Sequence, residues 1–126
     1  MLKILAETTF KEENYQVTCG IIYLNTGFLL LITDQTQYGM GNVFMSAPSG
    51  IDGTKAISTP GPIFGFKRNI LGKMVSELAA TILKKPCLIL INIRGLEKKD
   101  KLVADVTMKC LKQTLNQSRE KIKKME

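Results

Sequence analysis

The chain has 126 residues, of which 44% are hydrophobic and 23% are charged. This length fits one domain with a real hydrophobic core, and this composition excludes a disordered chain, so we expect residues 1–126 to form a single domain. The longest apolar runs, 27–32 and 87–91, are far shorter than the roughly 20 residues of a membrane-spanning helix, and the formal net charge of +7 favours acidic partners.

The first half of the chain has the pattern of β-strands. Residues 15–23 and 28–33 are rich in β-branched and other large apolar residues, and Asn25-Thr26-Gly27 between them has the composition of a turn. A third stretch, 42–47, follows a second break in the pattern. We expect these three stretches to form antiparallel strands in meander order.

A long loop is predicted at 48–66, where Gly, Pro, Ser and Thr replace the apolar pattern and only 55–59 fits a short edge strand. Such a composition opposes a packed resting structure. We therefore expect this loop to be mobile in the isolated protein and to become ordered when a client binds. Its apolar anchors would be Ile57, Ile63, Phe64 and Phe66.

The apolar pattern in the second half of the chain predicts a helix, a strand and a second helix. Residues 68–85 carry apolar side chains at intervals of four, and Pro86 ends this helix. Residues 87–93 form a strand that is apolar on both faces. A second amphipathic helix begins at Asp100 and runs to about Ser118, while the charged tail 119–126 is expected to fray.

These elements predict an α+β fold, with a mostly antiparallel sheet and two helices packed on one face. Phe28, Leu30 and Ile32 alternate with Leu29 and Leu31, so both faces of this strand are apolar. Both helices are needed on the first face, and exposed apolar sheet of this size is rare in monomers. The second face is therefore predicted to be available for dimerisation, with residues 28–32 as partner-binding residues.

No catalytic, metal or cofactor site is predicted. The chain has no His, which is the commonest general base and zinc ligand, and its three cysteines are not spaced as metal ligands. The segment from Gly65 to Lys73 ends in Gly-Lys, but its glycines are too far apart for a phosphate-binding loop. The odd number of cysteines, each in an apolar context, favours buried thiols and a location in the cytosol or the nucleus.

A basic stripe on the second helix is the main feature that favours another function. Lys109, Lys112, Arg119 and Lys123 fall on one side and have the charge that nucleic-acid phosphates require. Aromatic residues, on which single-stranded bases stack, are few, and Trp is absent. A small basic RNA-binding domain is thus an alternative function, but not the one we expect.

The order of elements resembles that of the small proteasome assembly chaperones, specifically the assembly chaperone 4-like family. The resemblance runs from about Phe10 to Leu115 and is carried by the strand pair at 15–32, the strand at 42–47, Leu88 to Asn92, and the closing helix. A roadblock or longin-like scaffold dimerisation domain is the alternative with similar elements.

The resemblance implies a non-enzymatic chaperone that pairs with a second, similarly folded subunit through its sheet. It also implies binding to proteasome α-subunits during assembly of the α-ring of the 20S particle. The partner is expected to be a second chaperone subunit, or a second copy of the chain in isolation. The family supplies no catalytic or cofactor residue.

Overall fold

The computed structural model of the protein describes residues 3–47, 57–61, 69–94 and 100–125. Six strands form one sheet: β1 (Lys3–Glu12), β2 (Tyr15–Leu24), β3 (Gly27–Thr33), β4 (Asn42–Ala47), β5 (Ile57–Gly61) and β6 (Cys87–Asn92). Two helices accompany them, α1 (Asn69–Leu83) and α2 (Asp100–Met125). The predicted α+β class is confirmed.

The strand order across the sheet is β1-β2-β3-β6-β4-β5. All neighbours pair antiparallel except β3 and β6, which are parallel. The expected meander of β2, β3 and β4 is wrong, because β6 lies between β3 and β4. Since β6 is apolar on both faces, a central position buries more of it than an edge position would.

The first strand, β1, was absent from the sequence interpretation. It forms a hairpin with β2, and the two turn residues Glu13 and Asn14 have φ of 51° and 64°. Positive φ at both positions is the conformation of a two-residue turn whose twist matches that of the paired strands. At the opposite edge, β5 confirms the short edge strand predicted within the long loop, and it accommodates Pro60, which cannot donate to a neighbouring strand.

The core lies between the sheet and the two helices. Helix α2 packs on β1 and β2, and α1 packs on β4, β5 and β6. One row of the sheet shows the pattern: Ile21, Leu30, Ile89 and Phe44 lie side by side on four neighbouring strands, and all are fully buried. Burying an aliphatic or aromatic side chain of this size contributes about 1.5–3 kcal/mol, so this layer holds the fold together.

Helix α2 is longer than the sequence predicted. The expected end at about Ser118 is wrong, because the helix continues to Met125, and the fraying of residues 119–126 stays a prediction. Ser118 is itself buried, and Ile122 packs against the core one turn later. In the part of the chain that the structure describes, neither helix is long and apolar enough to cross a membrane.

Candidate interaction face

The face of the sheet opposite the helices is apolar and open; we call it the outer face. Strand alternation places Leu29 and Leu31 here, whereas Phe28, Leu30 and Ile32 point to the helices and are at most 2% exposed. Of the five partner-binding residues predicted on β3, only Leu29 and Leu31 therefore present surface to a partner. Both are half-buried by their neighbours.

Two rows of paired residues extend this surface across four strands. One row runs from β2 to β4 and consists of Ile22, Leu29, Leu88 and Met45. The neighbouring row begins at Gly20 on β2 and continues with Leu31, Leu90 and Val43. Several members are well exposed: Ile4 63%, Met45 62%, Leu24 40% and Leu88 39%. The outer face consists of Ile4, Ile22, Leu24, Leu29, Leu31, Val43, Met45, Leu88 and Leu90.

Most of these residues were missed as site residues by the sequence interpretation. The signal for Leu88 and Leu90 was present, since β6 was recognised as apolar on both faces. Met45 and Val43 required knowledge that β4 pairs with β6, which places them in register with Leu88 and Leu90. Ile4 required β1, which was not predicted.

Tyr38 bounds the outer face at one end. It comes from the segment between β3 and β4 and lies over Gly20, where a Cβ atom would be only 2.7 Å from the Tyr38 hydroxyl. That hydroxyl donates a hydrogen bond of 2.7 Å to Oε2 of Glu7 on β1. Burial, and next the hydrogen bond to the Glu7 carboxylate, raise the pKa of Tyr38 well above its usual value.

A polar cleft of about 520 Å³ lies beyond Tyr38, lined by Glu7, Thr9, Thr18, Thr33, Gln35, Thr36, Gln37 and Tyr38. The lining consists of hydroxyl, amide and single carboxylate groups, without a nucleophile and base pair. Next to it, the Asp34 carboxylate accepts hydrogen bonds from the Arg94 backbone N–H at 2.9 and 3.1 Å and from the Tyr15 hydroxyl at 3.1 Å. These bonds tie the end of β3 to the residues after β6.

All three cysteines are buried, and two of them, Cys19 and Cys87, have raised pKa values. Burial raises the pKa of the Cys87 thiol to about 11. The hydrogen bond with Cys110, and next burial, raise the pKa of Cys19 well above its usual value. The hydrogen bond with Cys19 lowers the pKa of Cys110, whose buried Sγ lies 3.2 Å from the Thr8 carbonyl oxygen and 3.3 Å from that of Val17.

Of the four predicted loop anchors, only Ile57 lies among the residues that the structure describes. Among the residues that the structure describes, no group of three or more Cys, Asp or Glu side chains is arranged to hold a metal ion. The backbone of Ile57 lies in the edge strand β5. The predicted anchors Ile63, Phe64 and Phe66, and most of the long loop, lie outside the described residues.

The basic stripe is only partly free for a partner. Lys109 Nζ lies 3.3 Å from Glu12 Oε2 and 5.8 Å from the centroid of the Phe10 ring, so this lysine is engaged within the chain. Lys112, Arg119 and Lys123 are exposed.

Among known proteins, the chain has a match in solved structures and none by sequence. No protein-family model and no curated protein matches the chain. Its structure is similar to a chain in the crystal structure of a novel chaperone complex for yeast 20S proteasome assembly, with a TM-score of 0.64 and 12% sequence identity. The match covers 93% of this chain and 98% of that chain.

The two chains share one fold. This agrees with the resemblance in the order of elements, and the likeness covers nearly the full length of both chains. At 12% identity the likeness concerns the backbone arrangement, so individual contact residues have to be argued from this chain's own surface.

Proposed function

We propose that the protein is a non-enzymatic chaperone that binds proteasome α-subunits and assists assembly of the α-ring of the 20S particle. The observation that carries this proposal is the shared fold with a chain of a chaperone complex for yeast 20S proteasome assembly, over nearly the full length of both chains. The absence of His and the raised pKa values of the Cys19 and Cys87 thiols agree with a role in binding. We propose that it acts in the cytosol or the nucleus.

The outer face is the proposed surface for a second chaperone subunit of similar fold, or for a second copy when the chain is purified alone. Its apolar residues span β1, β2, β3, β6 and β4 without an intervening charge. A contiguous apolar patch of this kind typically marks a protein interface. Pairing two such faces removes both from water, in the way that two sheets pack in a sandwich.

The chaperone proposal is tested with affinity-tagged protein expressed in cells of the source organism. We expect proteasome α-subunits and one small chaperone subunit to copurify, as identified by mass spectrometry. Met45→Glu places a charge in the outer face and should reduce recovery of the chaperone subunit, because burying an unpaired carboxylate is costly. Met74→Glu on the exposed side of α1 is the matched control and should leave recovery unchanged.

Two results would contradict the proposal. Copurification of a chaperone-sized subunit without any α-subunit would leave the pairing but remove the role in proteasome assembly. Recovery of the chaperone subunit that is equally reduced by Met45→Glu and Met74→Glu would contradict pairing through the outer face.

A further inference from the structure

One end of the molecule carries a concentration of positive charge; we call it the basic end. Its exposed cations come from three places in the chain, and they are Lys3, Lys84, Lys85, Arg119, Lys121, Lys123 and Lys124. Tyr23 relates the positions of Lys3 and Lys85, and Lys84 directly precedes Lys85 in the chain. Lys3 is opposite Tyr23 in the β1–β2 register, and Lys85 Nζ lies 6.0 Å from the centroid of the Tyr23 ring.

Helix α2 brings the other four cations to the same end. It passes over β2 with Cys110 Sγ 3.3 Å from the Val17 carbonyl oxygen, and its side chain at Thr114 interacts with Cys19, further along the strand. From Cys110 to Lys123 a helix advances about 20 Å. From Val17 to Tyr23 a strand also advances about 20 Å, so the last turns of α2 lie over the Tyr23 end of the sheet.

The charge of the described part of the chain is concentrated there. The basic end contains seven cations and one anion, Glu120. The other described residues contain six cations and seven anions, so they are nearly neutral. Within the described residues, the surplus of positive charge therefore lies at the basic end and is not spread over the surface.

The negative ends of the helix dipoles offset only a small part of this positive charge. Both α1 and α2 end at the basic end, since Lys84 directly follows α1 and the Pro86 carbonyl accepts a hydrogen bond of 2.9 Å from the Phe28 N–H at the start of β3. Each helix C-terminus is equivalent to about half a negative charge, so two termini offset roughly one of the positive charges. The described residues form no ion pair with any of the seven cations.

The composition of the basic end favours carboxylates over nucleic acid as its ligand. Six of its seven cations are lysines, which attract carboxylates and phosphates alike as point charges, so the choice between the two ligands rests on the aromatic residues. The aromatic ring at this end, Tyr23, is covered by Lys85 and by the Phe28 ring, whose centroid is 5.9 Å away. No exposed aromatic side chain is available in the described residues for stacking on bases.

We propose that the basic end is a docking surface for an acidic segment of a protein partner. The basic end is separate from the outer face, and its proposed role holds whether or not the chain is a chaperone. The interaction is electrostatic and exposed to solvent, so it accelerates and orients association more than it tightens it.

The experiment uses two probes with equal numbers of negative charges, an oligoglutamate peptide and a single-stranded oligouridylate RNA. Binding to the purified full-length chain is measured by fluorescence anisotropy at about 0.1 M salt, where the screening length is about 10 Å. The variant K121Q/K123Q/K124Q removes three charges from the basic end. The control variant K11Q/K73Q/K101Q removes three exposed charges from other surfaces.

We expect the peptide to bind the unmodified chain, and K121Q/K123Q/K124Q to weaken that binding about tenfold, since three exposed ion pairs of ordinary strength are lost. The control variant should weaken it by less than about threefold, the remaining effect of net charge at this screening length. Equal weakening by both variants would overturn the proposal, because the binding would then follow net charge. Tighter binding of the RNA than of the peptide, or no peptide binding, would also overturn it.

Discussion

At the scale of single residues, Gly72 explains how closely α1 approaches the sheet. A Cβ atom at this position would overlap the Cζ, Cε1 and Cε2 atoms of Phe44, whose ring is fully buried on β4. Gly72, the second-last residue of the Gly65 to Lys73 segment, is thus a packing residue, in accordance with the sequence argument against a phosphate-binding loop. One turn later, the buried Ser76 hydroxyl donates a hydrogen bond of 2.8 Å to the Gly72 carbonyl oxygen.

Gly72→Ala should destabilise the protein, although alanine is the better helix former. In an exposed helix the change gains about 0.5–1 kcal/mol. Here we expect a loss of about 1–3 kcal/mol in the free energy of unfolding, because the buried Phe44 ring has no room to move. Urea denaturation measures the effect, and Lys73→Ala at the exposed neighbouring position is the control. A gain in stability from Gly72→Ala would show that α1 does not pack on Phe44.

Tyr38 gives the protein a specific response to alkaline pH. Its raised pKa means that the folded protein retains a proton that the unfolded chain releases near pH 10. Stability from this group is therefore complete below about pH 10 and is lost as the pH rises above it.

The Tyr38→Phe variant tests this response. Between about pH 9 and pH 11 the urea midpoint of the unmodified protein should fall more than that of Tyr38→Phe, because only the former carries the titrating phenol. The comparison of two slopes removes the contribution of other groups that titrate in both proteins. Parallel slopes would indicate that Tyr38 is not held against Glu7.

At the scale of elements, the strands with strong apolar alternation could be predicted from sequence, and those defined by pairing could not. The hairpin of β2 and β3 was recognised because both strands are apolar and a glycine-containing turn joins them. β1 mixes Lys3, Glu7 and Lys11 with its apolar residues, so only its pairing with β2 identifies it. The insertion of β6 beside β3 depends on contacts between distant parts of the chain, which local patterns do not encode.

The end of α2 is a second case in which contacts overrode the local pattern. The residues after Ser118 are mostly charged, which favours fraying. Ile122, one turn later, is the apolar residue that packs against the core and extends the helix. Tertiary packing of one apolar face contributes more to helix stability than intrinsic propensity does.

Ile122→Ala should therefore loosen the last turns of α2. We expect a loss of about 1–2 kcal/mol in the free energy of unfolding, less than for a fully buried residue because Ile122 is only partly buried. Hydrogen exchange of the amides after Ser118 should also become faster. Lys121→Ala, exposed one residue earlier, should change neither quantity. Unchanged exchange in Ile122→Ala would mean that this residue does not anchor the helix.

At the scale of the whole molecule, the apolar and the charged surfaces are distinct but adjacent. Ile4 and Leu24 of the outer face lie next to Lys3 and Tyr23, at the same end of the sheet as the basic end. A subunit that covers the outer face thus leaves the helix termini and their cations accessible. One surface suits lasting burial of apolar residues, and the other suits a contact that responds to salt.

The oligomeric state of the purified chain, and of the chain mixed with its copurifying chaperone subunit, tests the outer face directly. Sedimentation velocity at micromolar concentration should give a species of about twice the 14.0 kDa chain mass in at least one of these samples. Met45→Glu should shift that sample to the monomer, because the dimer would bury an unpaired carboxylate.

Met45 is 62% exposed in the single chain, so its replacement should leave the urea midpoint nearly unchanged, and this measurement separates loss of pairing from loss of fold. Met74→Glu, at a position 42% exposed on α1, carries the same chemical change on the opposite side of the molecule and should remain dimeric. A monomer in both samples before any substitution, or a dimer that survives Met45→Glu and dissociates with Met74→Glu, would place the interface elsewhere.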